Sequence, residues 1–257
     1  MARRGGRRFE PLDAAVTQFP QLAANELHVW QISLTAPELQ VSSPLTEDEI
    51  QRAHRFHFER DRIRFVAARS ALRNILAQYL SITPQELVFS YTPKGKPELA
   101  PSFRKPALQF NLSHSRDFAL LALTRHFRVG ADIEFIDAER TTEDIAARFF
   151  SPAEVDTLRA LPAAERVAAF FQCWTRKEAY VKALGAGLSL PLDSFDVAFG
   201  RGVPPALLRI AGTAEEISHW SLYNVAVPSE YAAAVAVEGR GLEFQFLSWN
   251  TRPAEQR

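Results

Sequence analysis

The sequence predicts an α+β fold built from two similar subdomains related by a pseudo-twofold, and three observations lead there. The first is an internal echo: LTEDEI at 45–50 answers FSPAEV at 150–155, and RIRFVAARSALRNIL answers VAAFFQCWTRKEAYVKAL, some 105 residues further on. The offset drifts along the chain, which fits a diverged duplication better than a tandem array. Chance likeness between two amphipathic helices is the competing explanation. The second observation is the setting of each copy. A short strand candidate precedes it, HVWQISL at 28–34 and RVGADIEFI at 128–136, and an apolar strand follows it, FALLAL at 118–123 and YAAAVAV at 231–237. The third is size, since 257 residues at 47% hydrophobic can bury one large core or two modest ones.

Taken in order, residues 1–24 contain Arg, Gly and Pro without periodicity and are expected to form a flexible basic tail. The N-terminal subdomain is expected over 25–126 and the C-terminal one over 127–257. Each echoed helix is preceded by a Ser or Thr with acids close behind, the pattern of a helix N-terminus. Arg60, Arg62 and Arg64 lie just before the first apolar helix, as a basic patch or as that helix's wet side. YTPKGKPEL at 91–99 reads as a turn in which Gly95 and Pro97 fix the backbone while Lys94 and Lys96 flank the bend. NLSHS at 111–115 reads as a loop before the strand FALLAL, offering Asn111, Ser113 and His114. The helix WTRKEAYVKAL is expected to stop at Gly185 and Gly187.

Composition narrows the function classes. Thirty basic and thirty acidic side chains cancel, so no global field draws the chain to nucleic acid or to an anionic membrane. Any polyanion site must be local. The single cysteine, Cys173, cannot form an internal disulfide and sits in an apolar helical pattern, as a small core residue does. The basic N-terminus lacks the apolar run of a signal peptide, and no stretch of about eighteen uncharged apolar residues occurs. A cytoplasmic, unexported protein is the expectation.

Carboxylates dominate the candidate chemistry. Asp132 and Glu134 alternate with Ala131, Ile133 and Phe135, so a strand projects both from one face. Glu178 and Lys182 are four apart and share a helix face, which suits either a surface salt bridge or a site. If that helix packs over the acidic strand face, three carboxylates converge. Three hard oxygen ligands with room for water and phosphate suit Mg²⁺. The Cys and His spacings of a zinc site are absent. So are a G-x-S-x-G elbow, a cysteine with a base and a Walker lysine loop. A glycosidase would also use two carboxylates, but not lysine-rich phosphate loops. Taken singly, the KGKP turn and His114 read as a solvated turn and a loop histidine; together they offer ammonium, hydroxyl and amide donors for phosphate.

From Phe56 to Phe195 these segments resemble the Sfp-type 4'-phosphopantetheinyl transferases. The arginine segment around Arg62–Phe65, KGKP, NLSHS, VGADIE and WTRKEAYVK followed by GAGLSLPLDSF occur in the family's order. The resemblance implies the 4'-phosphopantetheinyl transferase fold, two related subdomains with one coenzyme A site between them. It implies that Asp132, Glu134 and Glu178 hold Mg²⁺ against the pyrophosphate and that Lys182 pairs with phosphate oxygens. Lys94, Gly95, Lys96 and Pro97, with Asn111, Ser113 and His114, would cradle the nucleotide end, His114 and Arg60 or a neighbouring arginine at the 3'-phosphate. Ala131 departs from the family's usual isoleucine, at a core-facing position.

The implied reaction moves 4'-phosphopantetheine from coenzyme A to a serine hydroxyl of an apo acyl or peptidyl carrier protein, releasing 3',5'-ADP, with Glu178 as base and Glu134 as runner-up. Carriers of fatty-acid, polyketide and nonribosomal-peptide synthesis all present such a serine. Docking is expected near Phe149 and Phe150, and a fused pair of units points to a monomer. Two other classes use the same residues: a coenzyme A-binding regulator without turnover, and a divalent-metal phosphodiesterase or nuclease.

Overall fold

The computed structural model describes residues 19–35, 44–92, 95–103, 108–139, 142–210 and 214–249. They form two compact units, one drawn from residues up to His126 together with Glu243–Trp249 and the other from Phe127–Leu242.

In the first unit the chain enters through Phe19, stacked on Trp30, and the buried Leu22, so the part of the expected tail that is described is packed rather than loose. It then forms β1 (Glu26–Ser33), α1 (Glu47–Ala53) and α2 (Glu59–Leu80). A hairpin of β2 (Phe89–Tyr91) and β3 (Pro97–Leu99) follows, and then β4 (Leu108–Ser115) and β5 (Phe118–Arg125). Antiparallel pairing joins β5 to both β1 and β4. Apolar positions of α2 (Ala67, Ala68, Ala71, Leu72, Ile75) close over Trp30, Ile32, Leu121 and Leu123 on one sheet face to make the core. The helix stops at Ser81, whose left-handed backbone (φ 54°) turns the chain away.

One expectation is corrected here. NLSHS is the end of β4, not a loop. The continuous apolar strand β5 is buried along its length and needs a paired neighbour on each edge for its backbone groups. In that register His114 pairs opposite Ala119 and Ser113 opposite Leu120.

Glu49, third residue of α1, is buried and receives Arg69 Nε at 2.8 Å and Arg73 Nε at 2.7 Å from α2, with the Thr46 N–H at 3.0 Å. Burial pushes this carboxyl up, but the two guanidiniums and these hydrogen bonds outweigh it and hold the group below the usual carboxylate range. A depressed folded-state value means that the contribution to stability is present above the ordinary carboxylate range and is lost as pH falls through the folded value. Glu49→Ala should therefore destabilise this unit by about 3–5 kcal/mol at neutral pH, read by denaturant unfolding, and the difference should shrink in acid. An undiminished difference at low pH would refute the assignment.

The second unit runs through β6 (Val129–Phe135), α3 (Thr142–Phe149), α4 (Pro152–Ala160) and α5 (Ala163–Leu184). After these come β7 (Phe195–Val197), β8 (Leu207–Ile210), α6 (Ala214–Ser218), β9 (Trp220–Asn224) and β10 (Tyr231–Glu238). A three-stranded antiparallel sheet has the order β6-β10-β9, and β7 pairs with β8. Long helix α5 lies on the sheet, its Phe170, Phe171, Cys173 and Tyr180 sharing a core with Phe195, Trp220, Ala234 and Ala236. Small residues on β10 let the helix sit close. Ser151 caps α4, accepting from the Glu154 N–H, with Glu154 returning to the Ser151 N–H. Gly185, at φ 66°, ends α5 where the glycine pattern predicts.

The last strand, β11 (Glu243–Trp249), corrects the expected division at 127–257. It pairs parallel with β1, Glu26 opposite Glu243 and Ile32 opposite Trp249, and so completes the sheet β11-β1-β5-β4 of the first unit. The physical reason is edge protection: β1 carries buried residues on both faces and would otherwise present an unpaired edge.

Candidate active site

The second unit gathers the acidic residues through one close approach. Strand alternation sets Gly130, Asp132 and Glu134 on the same face of β6. That face meets α5, because a Cβ at Gly130 would lie 2.1 Å from Ala179 O and 2.3 Å from Ala183 N. Only glycine permits this contact. One residue pair further along, Asp132, 2% exposed, receives Lys182 Nζ on Oδ1 at 2.5 Å.

Glu178 lies one helical turn before Lys182. Burial pushes its carboxyl above the usual range, the charge on Asp132 pushes it further, and Lys182 opposes both. Asp132, Glu178 and Lys182 are therefore brought together as one electrostatic group. Glu134 is half-buried and opens onto an apolar cavity of about 160 Å³, lined by Ile145, Phe149, Phe170, Phe171 and Trp174. Phe149 is an exposed aromatic at this cavity, while Phe150 is buried in the core.

Among the described residues no group of three or more Asp, Glu, His or Cys side chains stands ready to hold a metal. The acids nonetheless have the chemistry of a divalent-cation site. The buried Asp132 carboxylate raises the proton affinity of the half-buried Glu178, Lys182 opposes this, and a hard divalent cation with oxygen ligands would balance the two acids further. Asp132, Glu178 and Glu134 are the residues that would hold it.

The first unit carries the candidate phosphate-binding groups. Lys94 lies outside the described residues. Gly95 turns the β2–β3 hairpin at φ 79°, its N–H donating to Thr92 O at 2.8 Å, while Lys96 donates its N–H to Thr92 Oγ1 at 3.1 Å. Gly95 lines a cavity of about 320 Å³ together with Glu49, Arg52, Phe65, Arg69 and Tyr91. Lys96 and Pro97 line another, of about 350 Å³, with Leu108 and Phe110. On β4, Asn111 and Ser113 are buried on the sheet face opposite α2, while His114 is exposed and projects to the other face. The five-residue segment thus does not present its groups as one loop.

Arg60 sits exposed in the first turn of α2, 3.6 Å from Asp61, and does not line the Gly95 cavity. Arg62 pairs with Glu59 near solvent, as a wet-side arginine does, while the more covered Arg64 pairs with Asp117. Arg52 is the cavity arginine that sequence reasoning missed. Its signal is the helical spacing that places it one turn after Asp48 and Glu49 in α1.

Comparison with known proteins decides the family. Residues 30–126 match the model of the 4'-phosphopantetheinyl transferase N-terminal domain, and residues 128–236 match that of the 4'-phosphopantetheinyl transferase superfamily. The 4'-phosphopantetheinyl transferase HetI of Nostoc sp. is 39% identical over 228 residues, covering 88% of this chain and 93% of its own. This chain belongs to the 4'-phosphopantetheinyl transferase family. The transferase Sfp of Bacillus subtilis is 31% identical over 153 residues, 60% of this chain and 66% of its own. The mouse L-aminoadipate-semialdehyde dehydrogenase-phosphopantetheinyl transferase is 30% identical over 205 residues, 74% and 66%. Among solved structures, the holo-[acyl-carrier-protein] synthase of Thermotoga maritima covers 44% of this chain and 63% of its own, at 21% identity and a TM-score of 0.35. The family activity is transfer of phosphopantetheine to carrier proteins. Among the described residues, no helix of this transferase is long and apolar enough to cross a membrane.

Proposed function

We propose that the chain transfers 4'-phosphopantetheine from coenzyme A to a serine of an apo acyl or peptidyl carrier protein, with Mg²⁺ and with release of 3',5'-ADP. The observation that carries this reading is the Asp132–Glu178–Lys182 group, a buried carboxylate holding a lysine and raising the proton affinity of a second, half-buried acid. The serine oxygen bonds to the phosphorus that bears pantetheine, the bridging P–O bond breaks, and the nucleotide leaves as 3',5'-ADP. Glu178 takes the serine proton; its proton affinity is raised in the free protein, before a cation joins it. Lys182 turns from Asp132 to the phosphate oxygens. Asp132, Glu134 and Glu178 would hold Mg²⁺, which would supply charge neutralisation on the pyrophosphate.

Gly95, Lys96, Pro97, Asn111, Ser113 and His114 are proposed for the nucleotide end, with Lys94 beside them in sequence. Arg52 is preferred to Arg60 at the terminal phosphate, since Arg52 shares a cavity with the Gly95 turn and Arg60 stands in solvent. The exposed Phe149 beside the Glu134 cavity supports the expected carrier docking there. A cytoplasmic monomer remains the proposed state.

The deciding experiment incubates the protein with Mg²⁺, coenzyme A and a panel of apo carriers, scored by carrier mass. A holo-carrier mass is expected, and none on any carrier sinks the reading. Nucleotide release without a carrier would favour a phosphodiesterase instead. For the nucleotide end, Arg52→Ala and His114→Ala should each weaken coenzyme A about tenfold or more while sparing dephospho-coenzyme A, as loss of a charge-assisted phosphate contact does. Arg60→Ala should change neither. Calorimetry on both ligands checks this, and equal losses for both would remove these side chains from the 3'-phosphate.

A further inference from the structure

Lys177 stands beside Glu178 in the same helix motif, yet the reaction gives it no part. It is completely buried. An ammonium has three N–H donors, and three oxygens meet this one: a Glu154 carboxylate oxygen at 2.7 Å, Leu192 O at 2.7 Å and Phe195 O at 2.5 Å. Its charge also lies 4.3 Å from the Phe195 ring centroid. Every donor is engaged, so none is left for a phosphate. Glu154 is equally committed, accepting the Val197 N–H at 2.8 Å and the Ser151 N–H at 3.0 Å. One buried ion pair thus ties the start of α4, the middle of α5 and the segment 192–197.

We propose that Lys177 is a positioning residue: this clasp fixes the rotation of α5 and thereby the placement of Glu178 against Asp132. Successive helix residues turn by about 100°, so Lys177 faces α4 and β7 while Glu178, Ala179, Lys182 and Ala183 belong to the side that meets β6. There the missing side chain of Gly130 sets the closest approach. A helix held at one point on each of two faces cannot roll without breaking one of them. The first unit carries the same device, Glu49 taking Arg73 and Arg69 from α2. In that unit Asn74 follows Arg73 as Glu178 follows Lys177. The clasp is therefore scaffold, and the acid beside it is what the scaffold aims.

The inference rests on the transferase reading, and its test separates the two. Lys177→Met, Glu154→Gln and the double variant are compared with wild type for melting temperature, coenzyme A binding by calorimetry, and turnover on a carrier. Lys177→Met alone leaves a buried carboxylate unpaired and should melt well below wild type. The double variant removes both charges and should regain most of that loss. It should bind coenzyme A within about threefold of wild type and turn over about tenfold or more slowly, with the carrier KM unchanged.

Wild-type kcat in the folded double variant would overturn the proposal whatever its melting temperature, leaving the clasp at most a role in stability. A roughly tenfold or larger loss of coenzyme A affinity would overturn it too, by making Lys177 a substrate ligand. If the variants do not fold, lysine acylation of the wild-type protein decides: Lys177 should stay unlabelled with or without coenzyme A while Lys182 reacts. Labelling of Lys177 that coenzyme A suppresses would refute the assignment. A wild-type protein that modifies no carrier would fail the functional reading alone, leaving the labelling result to stand by itself.

Discussion

A Glu178→Gln variant is expected to lose about 10²–10⁴-fold in turnover, as removal of a general base does, and yet to melt higher than the parent at neutral pH. Both effects come from one environment. Burial and the neighbouring Asp132 charge raise the Glu178 carboxyl above its ordinary value, with Lys182 only partly compensating. A group whose folded-state value is raised stabilises the fold fully below its unfolded value, and that contribution is lost as pH rises through the folded value. Once ionised, Glu178 costs the free protein stability, and Gln keeps the shape without the charge. In acid, where Glu178 is protonated, the two proteins should converge in stability.

Coenzyme A binding should survive, because the phosphate donors are untouched. Melting curves across the acid-to-neutral range, turnover on the same samples and coenzyme A calorimetry check these statements. A Gln variant that melts lower than the parent at neutral pH would show that Asp132 and Glu178 are not in conflict. Full turnover would remove Glu178 as the base.

Much of this arrangement is legible in the sequence wherever the signal is local. Ser151 three residues before Glu154, and Thr46 three before Glu49, announce helix starts, and Gly185 announces a stop. The alternation of Asp132 and Glu134 with apolar residues announces a strand with both acids on one face. What fails is what depends on distant partners. NLSHS reads as a loop because three of its five residues favour turns, but the neighbouring apolar strand recruits it for pairing. The residues of β11 look like a tail of the second unit, since nothing in EFQFLSW says that its partner is β1 at the other end of the chain. Arg60 looks as basic as Arg52, and only the fold shows that Arg52, itself exposed, lines the Gly95 cavity while Arg60 does not. The pairing of Lys182 with Asp132 is likewise invisible. An i,i+4 spacing suggests Glu178 as its partner, whereas the strand beneath offers a more deeply buried carboxylate.

Gly130→Ala is the substitution expected to do most for its size. The added methyl would sit 2.1 Å from Ala179 O, 2.3 Å from Ala183 N and 2.9 Å from Lys182 C, all backbone atoms of α5 that no rotamer change can move. The helix must retreat from β6 by about an ångström, and Lys182 and Glu178 go with it. Overpacking of this kind costs about 1–3 kcal/mol, and a displacement of that order at reacting groups costs about 100-fold in rate. The two can be separated by assaying turnover well below the melting temperature, where the variant is fully folded. Loss of the Lys182–Asp132 contact has its own signature, faster acylation of Lys182 in the folded variant than in the parent. Unchanged Lys182 reactivity with reduced turnover would place the damage elsewhere. Wild-type turnover would mean that the distance between β6 and α5 does not govern the chemistry, and the acid group would then owe its geometry to the Lys177 clasp alone.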